Sequence, residues 1–305
     1  MHTQLFAAGF LLALILSLLG LWFLNRLASF RDRRLIQFFI LAAPASLMGT
    51  LSLDLAYMAK IGCLAQSSAL DIWISTGLGL GLVLVAVLSL VHHARAIEQA
   101  NRLFRALPGA PEGRAQALLD KLGAPFPKLW IVPFDRPLAF TIGILRPTIV
   151  LSQWVLTELD EQELEGVLAH EWVHGLHRDN LLLSLAAWLR DCAFYLFFVD
   201  RAFKSLLADK EFHADAKAAE LTGRPAALAS ALLKFSRAPS LQLFSPSVET
   251  VVQGFGKDLL EPRIQALLGK ESRSASSIRP WEIVLVLVCL AVLASLPSFW
   301  MPTLH

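Results

Sequence analysis

The 305-residue chain has few charged side chains and almost no net charge. Aspartate, glutamate, lysine and arginine together make up 17% of the residues, hydrophobic residues make up 55%, and the formal net charge is +2. A chain this apolar is not an ordinary soluble domain. It also lacks a basic stripe and any known nucleic-acid motif, so we expect no direct binding to nucleic acid.

Cysteine is also scarce, with three residues at Cys63, Cys192 and Cys289. No two of them have the spacing that is typical of a zinc knuckle or of a disulfide framework. We therefore interpret them as small buried hydrophobic residues.

The chain contains four long apolar runs. They predict membrane spans: residues 5–25, 35–57, 72–91 and 283–299. Arginines follow the first and third runs and precede the fourth, which places both termini outside and the region between the last two spans in the cytoplasm. No basic residue precedes the first run, which argues against a cleaved secretory signal. Asp54 is either a functional ionisable group within a span or a residue of the outer interface.

These runs divide the chain into three parts. We predict three transmembrane helices in residues 1–92, a cytoplasmic domain in residues 93–280, and a fourth transmembrane helix with a short outer tail in residues 281–305. The predicted fold is that of an α-helical multi-pass membrane protein with a cytoplasmic α+β domain, which combines a small sheet with a long helix.

The sequence His170-Glu171-Trp172-Val173-His174 is an H-E-x-x-H pattern. On a helix, residues i and i+4 lie on one face, so both imidazoles can reach one metal ion. Zinc accepts such ligands, and Glu171 can act on a water as general base. Asp160 and Glu163 predict the start of this helix as a capping box, and we expect it to end near His177.

A zinc site needs a third protein ligand, which we expect in residues 209–215. Glu211 is the candidate ligand, and Asp215, four residues later on the same helix face, is expected to orient a ligating imidazole. His213 and His177 are rival ligands. If Glu211 is the ligand, the apolar segment 181–199 cannot cross the membrane, because one ion cannot bind residues on both sides; we predict a buried or membrane-apposed helix there.

A small sheet is predicted just before the motif helix. Leu129–Val132 is typical of a buried strand, and the β-prone runs 139–142 and 148–151 predict a hairpin. In many zinc peptidases an edge strand beside the motif helix pairs with an extended substrate. Residues Phe140, Thr141, Ile142 and Gly143 are candidates for that role, and a purely structural hairpin is the alternative.

Together these residues resemble the BlaR/MecR-type integral-membrane zinc metallopeptidases and, more distantly, the HtpX/Ste24-type membrane proteases. The matching pieces are residues 139–151, residues 164–174 with Arg178-Asp179, the Glu211-x-x-x-Asp215 block, and Arg263-Ile264. The resemblance implies a gluzincin-type protease domain with one zinc ion on His170, His174 and Glu211 and with Glu171 as general base. It also implies that Asp179 and Arg263, like Asp215, support the ligands. BlaR/MecR receptors carry a penicillin-binding sensor after the final span, whereas this sequence stops six residues beyond Phe299, so we do not expect β-lactam sensing by this chain alone.

The resemblance implies a membrane-embedded endopeptidase that cleaves a protein or peptide on the cytoplasmic side of the bilayer. The substrate would be a transcriptional repressor or the protease itself. One alternative is a quality-control protease of the HtpX type. Another is a signalling protein that keeps a zinc fold without turnover.

Overall fold

The computed structural model describes residues 19–20, 37–38, 40–41, 69–106, 113–123, 128–144, 146–193, 197–238 and 259–269. The fourth predicted span, Asp54, Cys63 and Cys289 lie outside these residues, as does most of the first two predicted spans. The chain divides into two compact units. All the site residues discussed below belong to the unit formed by His93–Ser184 and Leu207–Ser272.

The described residues form eight helices and three strands. The helices are α1 (Ala69–Ala106), α2 (Gly113–Lys121), α3 (Gln153–Glu158), α4 (Glu161–Leu176), α5 (Asp179–Cys192), α6 (Phe197–Thr222), α7 (Pro225–Arg237) and α8 (Leu260–Leu267). The strands are β1 (Lys128–Val132), β2 (Ala139–Ile142) and β3 (Thr148–Ser152).

The third predicted span lies within α1, which continues beyond it to Ala106. Within the ranges described, none of the helices combines the length and the apolar character that a membrane crossing requires.

Helix α4 begins and ends where the sequence predicts. The side chain of Asp160 accepts hydrogen bonds from the backbone nitrogens of Gln162 and Glu163, and the Glu163 side chain accepts one from the backbone nitrogen of Asp160. This capping box satisfies donors that have no partner inside the helix. His177 is the C-cap residue. The motif is thereby held on a regular helix.

The predicted hairpin is confirmed. β2 pairs with β3 in antiparallel orientation, with Thr141 opposite Ile149. β1 pairs with the other side of β3 in parallel orientation, which the sequence did not predict. The strand order β1-β3-β2 leaves β2 at one edge of this three-stranded sheet.

Apolar side chains cover both faces of the sheet. On one face Ile149 and Leu151 belong to a cluster that also contains buried residues of α2, α4 and α7. On the other face Phe140 and Val150 belong to a second cluster. Gly166 allows α7 to approach α4, because a Cβ there would lie 3.3 Å from the Cβ of Leu228. The motif helix is therefore packed between the sheet and α7.

The apolar segment 181–199 is not one helix, which corrects that part of the prediction. α5 ends at Cys192 and α6 begins at Phe197. The segment contains neither proline nor glycine, so nothing in its composition indicated the break.

Candidate metal centre

Two imidazoles on one face of α4 form the base of the site. The Nε2 atoms of His170 and His174 lie 3.1 Å apart, as the i, i+4 spacing requires. His170 and Glu171 are almost fully buried, with 3% and 4% of their surfaces exposed. A pair of imidazoles with converging nitrogens, one buried and one partly buried, is a typical basis for metal binding.

Glu211 on α6 completes the group. Its Oε2 atom lies 3.5 Å from Nε2 of His170, and its Oε1 atom lies 3.6 Å from Nε2 of His174. Within the described ranges these three residues are the group whose ligand atoms, all within 4.8 Å of one another, could hold a metal ion. A tetrahedral zinc ion with bonds of about 2.0 Å sets its ligand atoms roughly 3.3 Å apart. The observed separations fit such an ion.

A carboxylate lies behind each imidazole. Nδ1 of His170 is 2.9 Å from Oδ1 of Asp215, and Nδ1 of His174 is 2.8 Å from Oδ2 of Asp179. In a neutral imidazole, a carboxylate beside Nδ1 favours the proton on that nitrogen and leaves Nε2 as the ligand atom. The two Nε2 atoms lie 3.5 and 3.6 Å from the carboxylate oxygens of Glu211, an arrangement that favours a cation between them.

Arg263 on α8 joins two of the carboxylates. It donates from Nε and Nη2 to the two oxygens of Asp215, at 2.7 and 2.8 Å, and its Nη1 lies 2.8 Å from Oε2 of Glu211. Only 2% of Arg263 is exposed, although a lone arginine on a short helix is usually a surface residue. The two carboxylates that face it explain its burial.

Lys210 is a second buried cation, and the sequence reasoning missed it. Its Nζ forms an ion pair with Oδ1 of Asp179, and each side chain is 2% exposed. Lys210 directly precedes Glu211, but α6 turns the two side chains in different directions. No local pattern links Lys210 to Asp179, since the two residues are 31 positions apart.

The site gathers several acidic side chains. Glu171, Asp179, Glu211 and Asp215 are all buried, and the basic side chains Arg263 and Lys210 contact three of them. Such a group of carboxyls beside two imidazoles favours the binding of a divalent cation.

The acidic side chains of the site raise the pKa of His170. Burial alone would lower this pKa, but hydrogen bonds with Asp215 and Glu211 and their negative charges raise it to about 10. Arg263 opposes the effect of burial on Glu211 and holds the pKa of that carboxyl below its usual range. Glu211 is therefore ionised at neutral pH, as a metal ligand must be.

The candidate substrate strand lies beside Glu171. Thr141 donates from Oγ1 toward the Glu171 backbone oxygen at 2.8 Å and toward Oε2 of the same residue at 3.0 Å. The Thr141 carbonyl accepts a hydrogen bond of 2.7 Å from Nδ2 of Asn180, and the Gly143 carbonyl lies 3.5 Å from that nitrogen. Phe140 points into the core on the opposite face of the sheet, and Ile142 packs against the same cluster.

The rival ligands are not part of the metal group. The rings of His177 and His213 lie against each other, with their centroids 5.1 Å apart. Trp172, the bulky residue within the motif, is partly buried and packs against the core cluster around α4.

Comparison with known proteins gives an independent view of the same region. Residues 112–242 match the model of peptidase family M48. A protein named protease HtpX homolog from Acidiphilium cryptum is 30% identical over 209 residues, which cover 54% of this chain and 72% of that protein. Homologues with the same name match from Gemmatimonas aurantiaca (32% identical, 44% of this chain and 60% of that protein) and Pseudarthrobacter chlorophenolicus (29%, 68% and 82%).

Proposed function

The chain belongs to peptidase family M48, and we propose that it is a zinc metalloendopeptidase that hydrolyses peptide bonds of protein substrates. The observation that carries the proposal is the convergence of His170, His174 and Glu211 directly beside the buried Glu171. The matched relatives bear the name of a protease, which supports the same reaction class. The matched part of the chain spans 60% of the length of the Gemmatimonas homologue.

We assign one zinc ion per chain to the Nε2 atoms of His170 and His174 and to the carboxylate of Glu211. The donor set is of the His₂Glu kind that catalytic zinc sites use, and it leaves a position open. When bound, zinc supplies Lewis acidity, which acidifies water and polarises a carbonyl group. Asp215 and Asp179 orient the imidazoles, and Arg263 fixes the carboxylates of Glu211 and Asp215.

Glu171 acts as the general base and then as the general acid. Its carboxylate takes a proton from the attacking water and becomes a neutral carboxyl group. It then gives that proton to the nitrogen of the leaving amine. The site places Glu171 next to the first ligand and buries it, so that bulk water does not compete for the proton.

The outer edge of β2, with its candidates Phe140, Thr141, Ile142 and Gly143, is the proposed binding edge for an extended substrate. β2 has no strand partner on its outer side within the described residues. The Thr141 carbonyl accepts a hydrogen bond from Asn180 and has a second lone pair. A substrate peptide would add a strand there through its main chain. The side chain of Phe140 is committed to the core, so we assign a main-chain role to that position.

We further propose that the enzyme is a multi-pass protein of the inner membrane, with both termini outside and the site on the cytoplasmic side. The apolar runs and the distribution of arginines support this topology. Of the two roles that the resemblance implied, the names of the relatives favour an HtpX-type quality-control protease with a broad set of damaged protein substrates. Cleavage of one regulator, such as a repressor or the protease itself, is the second candidate.

The first experiment measures zinc-dependent cleavage of an unfolded protein such as casein by the detergent-purified chain. Glu171→Gln keeps the size of the side chain but removes the base, so we expect at least a hundredfold loss of cleavage with zinc retained. Glu161→Gln, at an exposed position on the same helix, is the matched control and should remain active. Full activity of Glu171→Gln would contradict the proposal.

The breadth of cleavage separates the two roles. Membranes from cells that express the wild type and Glu171→Gln are compared by mass spectrometry of new peptide termini. We expect many substrates, enriched after heat stress. A single cleaved protein would favour the regulatory role instead.

A further inference from the structure

Thr141 links the edge strand to the general base. It lies in the middle of β2, 6% of its surface is exposed, and its hydroxyl contacts both the backbone oxygen of Glu171 (2.8 Å) and the carboxylate atom Oε2 (3.0 Å). The two residues are 30 positions apart, so packing of β2 on α4 creates this contact. The contact joins two buried polar side chains.

A threonine hydroxyl carries one proton and two lone pairs. It can therefore donate to only one of the two Glu171 oxygens at a time, while its own oxygen stays free to accept. Both acceptors belong to Glu171, so the hydroxyl keeps the carboxyl group close to the backbone of the same residue.

We propose that Thr141 is a positioning residue that fixes the orientation of the Glu171 side chain. Its hydroxyl contacts Oε2 and the backbone oxygen of Glu171, and so ties the carboxyl group to the middle of β2. No proton leaves Thr141. The inference rests on the proposed function, because it assumes that Glu171 is the base.

Contacts other than the hydroxyl group keep the backbone of Thr141 in place. The Thr141 carbonyl accepts from Asn180 at 2.7 Å, and the strand is paired to β3 with Thr141 opposite Ile149. Loss of the hydroxyl should therefore leave β2 in position and affect mainly the orientation of Glu171. This separates a role in catalysis from a role in folding.

The test compares Thr141→Val, Thr141→Ser and the wild type for zinc content, kcat and KM on a quenched fluorescent peptide. Thr157→Val is the matched control, since Thr157 is exposed on α3 and bonds only to backbone oxygens of its own helix. We expect Thr141→Val to lower kcat about 10- to 100-fold, a part of what general-base catalysis contributes. KM and zinc content should change less than about twofold, and Thr141→Ser should recover most of kcat.

A double variant tests whether Thr141 acts through Glu171. If it does, adding Thr141→Val to Glu171→Gln costs no further activity, because the group that it positions is already gone. Unchanged kcat in Thr141→Val, or an equal further loss in the double variant, would overturn the inference. So would a loss of zinc that Thr141→Ser fails to restore.

Two further measurements cover a variant that does not fold and a failure of the proposed function. If Thr141→Val does not fold, Thr141→Cys replaces it, because a thiol has similar size and is a much weaker donor; full kcat in that variant overturns the inference. If Glu171→Gln itself remains active, the proposed function fails, and with it the premise. If only the inference fails, cleavage is lost in Glu171→Gln but remains normal when the Thr141 hydroxyl is removed.

Discussion

Lys210 forms a buried ion pair with Asp179, the carboxylate that holds Nδ1 of His174. Lys210 lies on α6, Asp179 begins α5, and His174 lies on α4, so one chain of polar contacts joins three helices behind the metal centre. Burial alone would raise the pKa of Asp179, but hydrogen bonding and charge from His174, together with Lys210, hold it below its usual range. The carboxylate is therefore ionised and fixed when it orients His174.

We expect Lys210→Met to weaken zinc binding by about 10- to 100-fold, the usual effect of losing a group that supports a ligand. Among the described residues the variant removes one of the two side chains that pair with Asp179 and leaves His174, so the free energy of unfolding should also fall by about 3 kcal/mol. Competition with a fluorescent zinc chelator measures the affinity. Lys204→Met is the control on the same helix, since its side chain is 73% exposed. Equal affinities for both variants would refute the role of Lys210.

The identity of the third ligand gives a second prediction. Glu211→Ala should lose most of its zinc, because two imidazoles alone are a weak site. His213→Ala and His177→Ala should each keep about one zinc ion per chain, since those rings pack on each other away from the metal group. Metal analysis of the purified proteins measures this directly. Zinc retained by Glu211→Ala and lost by His213→Ala would move the ligand to His213.

The protein should lose stability in acid through Asp215. Burial alone would raise the pKa of Asp215, but Arg263 and His170 hold it well below the usual range. Its stabilising contribution is therefore complete above about pH 5 and is lost as the pH falls below about 3.9, where the unfolded chain takes up a proton that the folded chain resists.

Asp215→Asn tests this through melting temperatures measured from pH 6 to pH 3 in the presence of a chelator. The variant should melt lower than the wild type at pH 6, but its melting temperature should fall less steeply with acid. Parallel curves for the two proteins would show that Asp215 does not carry the effect.

The sequence predicted those parts of the molecule that local signals determine. The capping box of Asp160 and Glu163 set the start of α4, and the spacing of His170 and His174 put both rings on one face. Glu211 followed as the candidate for a third donor, and the structure brings it together with the two imidazoles. The hairpin of β2 and β3 followed from β-prone runs of matching length.

What the sequence did not predict depends on packing between distant segments. The contact of Thr141 with Glu171 and the ion pair of Lys210 with Asp179 have no local pattern. The burial of Arg263 makes sense only once Glu211 and Asp215 are seen to face it. The resemblance also did not distinguish BlaR/MecR-type from HtpX-type proteases, since zinc peptidases of different families share the H-E-x-x-H motif. The relatives support its HtpX part and leave its BlaR/MecR part without support.

The turn between β2 and β3 gives a prediction that is independent of zinc. Gly143 has a φ of +94°, a conformation that side chains disfavour, and a Cβ there would lie 2.4 Å from the Arg146 backbone oxygen. Gly123 has a φ of +70°, but a Cβ there meets nothing within 4 Å. Comparing alanine at the two positions therefore separates backbone strain from a steric clash.

Gly123→Ala should cost about 1–2 kcal/mol, the usual strain of a left-handed alanine. Gly143→Ala should cost clearly more, because the turn must also move to relieve the clash. On a domain of this size each 1 kcal/mol lowers the melting temperature by roughly 2–4 °C. The same movement would pull Thr141 away from Glu171, so kcat should fall in Gly143→Ala and remain normal in Gly123→Ala. Equal melting temperatures for the two variants would show that the turn at Gly143 accommodates a side chain, and that the position of β2 does not depend on it.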